Sequence, residues 1–115
     1  MTYISGFVTP VKPENKDAYI ESARMAWPLF QEFGALSMNE GWGDNTPDGK
    51  VTDFRRAVQA EAGEIVVFSW VVWPDKATAD AAEGKMMSDP RMEQLPMPFD
   101  GKRMIYGGFE MMVDM

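Results

Sequence analysis

Residues 64–73 read Glu64-Ile65-Val66-Val67-Phe68-Ser69-Trp70-Val71-Val72-Trp73, and Pro74 stops the run. β-Branched and aromatic residues at this density over this length mark a β-strand. Successive strand side chains point to opposite faces, so Ile65, Val67, Val71 and Trp73 line one face while Val66, Phe68, Trp70 and Val72 line the other. Both faces are apolar. An antiparallel sheet covered by its own helices on one side usually leaves its other side polar and wet, so the second face here calls for a cover of its own. A chain of 115 residues is too short to build both covers, and a second copy of the chain is expected to supply the other.

Working outward, residues 3–9 read as a first strand, with Tyr3 and Phe7 on one face and Ile4 and Val8 on the other, ended by Pro10 and Pro13. Over residues 14–33, Tyr19, Ala23, Ala26, Trp27, Phe30 and Phe33 recur at three- and four-residue steps, the stripe of an amphipathic helix with Gly34 as its stop. Pro28 lacks an N–H, which frees the carbonyl of Arg24 and predicts a kink with a gap beneath Trp27. Residues 36–42 form a second strand, residues 43–50 a polar loop, and residues 54–60 a short returning strand turned by Ala62 and Gly63. Asp75 caps a helix to about residue 87, Asp89-Pro90 ends it, and residues 91–102 read as an ordered loop. Residues 105–113 form the last strand, in which Gly107-Gly108 predicts a bulge, a bend or a close backbone approach. Strand, helix, strand, strand, helix, strand is the ferredoxin-like βαββαβ order of an α+β domain. Right-handed crossovers place both helices on one face of an antiparallel sheet and the first and third strands in its middle.

Composition narrows the chemistry. One domain fits this length. Eleven basic against eighteen acidic residues give a net charge of −7, a poor match for nucleic acid or an anionic membrane. Neither a signal peptide nor a membrane span is visible, and a cytoplasmic protein is expected. Zero cysteines and zero histidines remove disulfides, thiolate nucleophiles and the commonest metal ligand and general base. Eleven methionines are many, and serve as adaptable core filler or as the lining of a permissive pocket.

Several stretches carry a resemblance: Gly6-Phe7-Val8, Pro47-Asp48-Gly49-Lys50, Val66-Val67-Phe68-Ser69-Trp70, Asp89-Pro90-Arg91-Met92 and, above all, the thirteen residues from Met97 to Phe109. Along nearly its whole length the chain resembles the YbaA-like family of small bacterial proteins of unknown function, which belongs among the dimeric α+β barrels. The resemblance implies a ferredoxin-like subunit that pairs sheet to sheet with a second copy. It implies no activity, because the family has no assigned catalytic or binding residues. Pro28 departs from the family's uninterrupted first helix.

Four constellations remain. Residues 44–49 imitate the start of a calcium loop, but Arg55 stands where a bidentate Glu is needed and Pro47 interrupts the loop, so a polar turn is expected and no metal. Arg55-Arg56 and Lys102-Arg103 offer an anion clamp, with carboxylate pairing as the alternative. Glu40 and Glu110, the carboxylates placed in strands, are the general-base candidates, since burial raises a pKa, with solvent-facing or edge positions as the favoured alternative. Trp27, Trp42, Trp70, Trp73 and Tyr106 could line an aromatic pocket, with simple core filling as the favoured alternative. The ligand-binding candidates are Trp27, Asn39, Trp70, Arg103 and Tyr106, beneath the kinked helix and around the sheet; no catalytic residue is identified and no tightly held cofactor is expected. Three functions follow: binding of an apolar or aromatic small molecule, cofactor-independent monooxygenase-like chemistry by fold analogy through Trp70, Tyr106 and Asn39, or a structural module. A closed apolar cavity of about 300 Å³ with converging polar groups separates the first two from the third.

Overall fold

The computed structural model describes residues 2–115. Four strands, β1 (Tyr3–Val11), β2 (Ser37–Trp42), β3 (Ile65–Trp73) and β4 (Ile105–Glu110), form one antiparallel sheet in the order β2-β3-β1-β4. The ferredoxin-like topology of the sequence reading is thus present, with β1 and β3 central. Tyr3 faces Trp73, Phe7 faces Ser69 and Thr9 faces Val67, so the odd-numbered residues of both strands share a face. Helices α1 (Lys16–Glu32) and α3 (Lys76–Ser88) cover it. Leu29, Phe33, Ala79 and Ala82 pack there on Val71 and Trp73. Trp73 is 1% exposed and donates its indole N–H to Ser5 Oγ at 3.0 Å, which satisfies the one polar atom of the largest core side chain.

Local chemistry explains the element ends. Asp75 accepts the Thr78 N–H at 2.7 Å and caps α3. Gly34 terminates α1 at φ +110°, where a Cβ would come within 2.6 Å of Thr78 Cγ2, so glycine is needed for both conformation and space. Pro28 lies inside α1, which runs through it as one helix. Pro10 is tolerated within β1 because pairing with β4 ends at Val8, before the missing N–H would be needed on that side. The strand therefore continues to Val11 instead of stopping at Thr9.

Two expectations are corrected. Residues 54–57 form a short helix, α2 (Phe54–Ala57), capped by Asp53 through the Arg56 N–H at 2.7 Å; β3 pairs instead with β2, across the whole insert. The last strand ends at Glu110, not at residue 113. The Gly107-Gly108 pair makes a close approach without a bulge. The register is continuous from Ile105 to Glu110, and any Cβ at Gly108 would run into the phenol of Tyr3. Residues 90–93 add a fourth helical turn, α4 (Pro90–Glu93), ahead of the segment that returns to β4.

One buried ion pair anchors the insert. Glu64, with its side chain 4% exposed, receives Arg103 Nη1 at 2.7 Å and Nη2 at 2.8 Å. The Glu61 N–H adds a bond at 2.6 Å. Arg103 holds the Glu64 carboxyl at about 2, far below its ordinary 4.5. A carboxylate whose folded pKa is depressed adds stability that is complete above its unfolded pKa and is lost as pH falls through the folded one. Urea midpoints are therefore expected to hold from neutrality to about pH 5 and to fall steadily toward pH 2. In Glu64→Gln the midpoint at pH 7 should already be lower and this part of the acid slope flatter; an unchanged slope would show that the pair carries no linkage.

Candidate functional site

A chamber of about 180 Å³ lies between α1, the helix-covered face of the sheet and the segment leading into β4. Its origin is legible in the stripe of α1. Between the large rings of Tyr19 and Phe30 the helix lines the chamber with only Ser22, Ala23 and Ala26, side chains too short to fill the gap. The returning segment roofs it with Met92, Leu95, Met97, Phe99 and Met104. Ser22 Oγ donates to the Pro96 carbonyl at 2.6 Å, and Phe99 packs against the Tyr19 ring at 5.7 Å. Arg91 pairs with Glu32 and Asp89 at one end of the roof, and Arg103 with Glu64 and Asp100 at the other.

The floor is polar. Strand alternation puts Met38 and Glu40 of β2 on the same face as Ser69 and Val71 of β3. Tyr19 Oη donates to Glu40 Oε1 at 2.6 Å, with the hydroxyls of Ser69 and Thr9 beside the pair. Burial pushes the Tyr19 phenol well above its ordinary value, and the neighbouring Glu40 carboxylate pushes further, so Tyr19 remains a donor at any physiological pH. Burial also raises Glu40, against the hydrogen bonds from Tyr19 and Ser69 that favour its charged form. Glu40 is exposed along one side, at the boundary with a neighbouring recess of about 410 Å³ that shares Tyr19, Ala23, Met38 and Glu40 and adds Ile20, Arg24 and Trp27. The chamber alone is smaller than the 300 Å³ set as a threshold above. The adjoining recess is open to solvent, so it does not bring the chamber up to a closed cavity of that size.

The sequence candidates divide between two places. Trp27 walls the recess beside α1. Asn39 and Trp70 are register partners on the sheet face turned away from the helices. There Trp70 lines a recess of about 510 Å³ with Ile4, Val8, Phe68, Ile105 and Phe109, and Tyr106 of the edge strand joins its rim while stacking on Phe7. Arg103 lies at neither place; its N–H groups go to Glu64, Asp100 and the Gln59 carbonyl. Arg55 bonds the carbonyls of Glu64 and Glu61, and Arg56 ties Asp53, Val51 and Gly49. The three arginines thus serve the protein's own acceptors, and Arg56 closes the loop that imitates a calcium site. Among the described residues no three acidic side chains come together to hold a metal ion. Glu110 sits at the exposed end of β4, opposite Tyr3. Sequence reasoning named Glu40 and missed Tyr19. The available signal was a phenol in a helix stripe, which on burial needs a partner for its hydroxyl.

Among the described residues no helix is long and apolar enough to cross a membrane. The family described as "protein of unknown function (DUF1428)" matches residues 2–101. Uncharacterized protein YbaA of Escherichia coli is 60% identical, covering 99% of this chain and 99% of its own, and the YbaA of Shigella flexneri matches to the same extent. Among solved structures, a dimeric ferredoxin-like protein from an uncultured marine organism superposes with a TM-score of 0.63 at 11% identity, over 99% of this chain and 98% of that one. Rv0793 from Mycobacterium tuberculosis gives 0.52 at 13% identity, with the same coverage. At such identities these two structures speak to the fold alone. With the family match and the YbaA relatives spanning it end to end, the chain belongs to the YbaA-like family of proteins of unknown function.

Proposed function

We propose that this protein is a homodimer that binds a small, mainly apolar molecule in the chamber over Tyr19 and Glu40. The observation that carries the binding reading is an apolar, methionine-roofed space with one polar group of four side chains at its floor, the composition of a small-molecule site. An empty cavity of about 150 Å³ accepts benzene, so 180 Å³ suits a single ring with a short substituent. Longer ligands would extend past Glu40 toward Trp27.

The dimer reading rests on the uncovered sheet face. Phe68 is 45% exposed, Ile105 44% and Phe109 57%. A folded monomer of 13.0 kDa exposes about 6,300 Å², and this chain exposes 7604 Å². The excess of roughly 1,300 Å² is more than the 800 Å² or so that each partner buries in a standard interface. The marine ferredoxin-like neighbour is dimeric.

Single-ring probes such as phenol and indole test the binding reading by thermal shift. A ligand at a hundredfold excess over its Kd should stabilise the native state by about 2.7 kcal/mol. Ala23→Leu, which fills the space between chamber and recess, should abolish the shift at a packing cost of about 1–3 kcal/mol or less. No shift from any such probe, or an equal shift in the filled variant, would remove the chamber as the site.

A further inference from the structure

The polar chemistry of the chamber has one sign. A carboxylate, a phenol and three hydroxyls, one of them Ser22 already donating to the Pro96 carbonyl, are among the groups that line it, and no lysine or arginine is. Glu40 is unusual among the hydrogen-bonded carboxylates of this chain. Asp53, Glu64, Asp80, Asp89, Glu32 and Asp100 each pair with an arginine or lysine, and Asp75 is held by the N-terminus of the helix it caps. Among the described residues no ion pair includes Glu40, whose side-chain partners are the neutral hydroxyls of Tyr19, at 2.6 Å, and Ser69. An ionised carboxylate offers about four acceptor positions, and Tyr19 and Ser69 occupy two, which leaves others for a ligand. Glu40 keeps solvent on one side, and the apolar wall on its other side removes part of its hydration, which a cation there would replace.

We propose that the missing partner is supplied by the ligand: the site takes a small primary amine, its ammonium on Glu40 and its ring or short alkyl chain among the methionines. This rests on reading the chamber as the binding site. The ammonium belongs on the chamber side of Glu40, because Arg24 lines the recess on the other side and would repel it. The hydroxyls of Ser69 and Thr9 supply further acceptors to an ammonium, whose three donors need them. An anionic ligand meets a carboxylate without a compensating cation, inside a chain of net charge −7. A metal ion fits no better, since one carboxylate and neutral oxygens lack the several charged ligands a hard cation gathers.

Three compounds of nearly equal size test the proposal on the full-length protein: benzylamine, benzyl alcohol and benzoate, followed by calorimetry and thermal shift. Benzylamine is expected to bind best and benzoate not at all. Glu40→Gln keeps the shape and removes the charge. It should weaken benzylamine roughly 10- to 100-fold, the worth of a charge-assisted hydrogen bond, and leave benzyl alcohol within about threefold. Tyr19→Phe, which leaves the carboxylate in place without its donor, should retain the preference for the amine. Benzyl alcohol binding as tightly as benzylamine, or benzylamine binding Glu40→Gln undiminished, would overturn the amine assignment and leave the chamber as a site for neutral ligands. Tight binding of benzoate would overturn it in favour of Arg24. If none of the three shifts the native protein at millimolar concentration, the chamber reading and the amine assignment fall together.

Discussion

Trp73→Ala is expected to destabilise the protein by about 3–5 kcal/mol, the range for deleting a fully buried aromatic. Trp73 is 1% exposed and sits in the cluster of Leu29, Phe33, Val71, Ala79 and Ala82, where both long helices meet the sheet. Its removal leaves a void that β3 cannot close, since its backbone is fixed by pairing with β1 and β2 on both sides. It also strands the Ser5 hydroxyl, which now accepts the indole N–H. Domains of this size have about 5–15 kcal/mol in total, so the loss is a large share and should appear as a marked fall in the urea midpoint. Trp73→Phe keeps most of the buried area, forfeits the hydrogen bond and should cost clearly less. A Trp73→Ala variant within about 1 kcal/mol of the parent would mean that the core is centred elsewhere.

That residue also shows how far the chain discloses its own fold. Alternation in residues 64–73 separates Trp73 from Trp70 before any contact is known, and the structure puts the first under the helices and the second on the exposed face. The short helix α2 was not legible by periodicity, because four residues make barely one turn; the legible sign was Asp53 placed to cap it. The site was half legible. Small residues at Ser22, Ala23 and Ala26 within an otherwise bulky stripe announce a gap, and alternation in β2 turns Glu40 toward it. The meeting of Tyr19 with Glu40 joins residues 21 apart in sequence, and helix and strand periods give no rule for which residues meet across two layers. Of the two readings open for Arg103, anion clamp or carboxylate pairing, the structure shows the pairing. Its partner Glu64 lies 39 residues away and has no local pattern to reveal it.

Phe109→Glu is expected to convert the protein from a dimer to a monomer. Phe109 is 57% exposed, and from the edge strand β4 its ring reaches over Gly107 and Gly6 onto the uncovered face. Within one subunit the substitution loses little buried area. In a twofold dimer the same patch of each subunit forms the interface, so one substitution introduces two carboxylates, both desolvated and of like sign. Burying an unpaired charge costs several kcal/mol, enough to weaken association by at least a hundredfold. Sedimentation equilibrium should give twice the 13.0 kDa chain mass for the parent at micromolar concentration and the single mass for the variant, with similar far-UV circular dichroism. Phe109→Leu, apolar and smaller, should stay dimeric. A parent that sediments at the single mass, or a Phe109→Glu variant that remains paired, would leave Phe68, Trp70 and Ile105 without the partner argued for here. Because the chamber lies on the face of the sheet turned away from the proposed partner, the same variant separates the two proposals: ligand stabilisation should survive in the monomer.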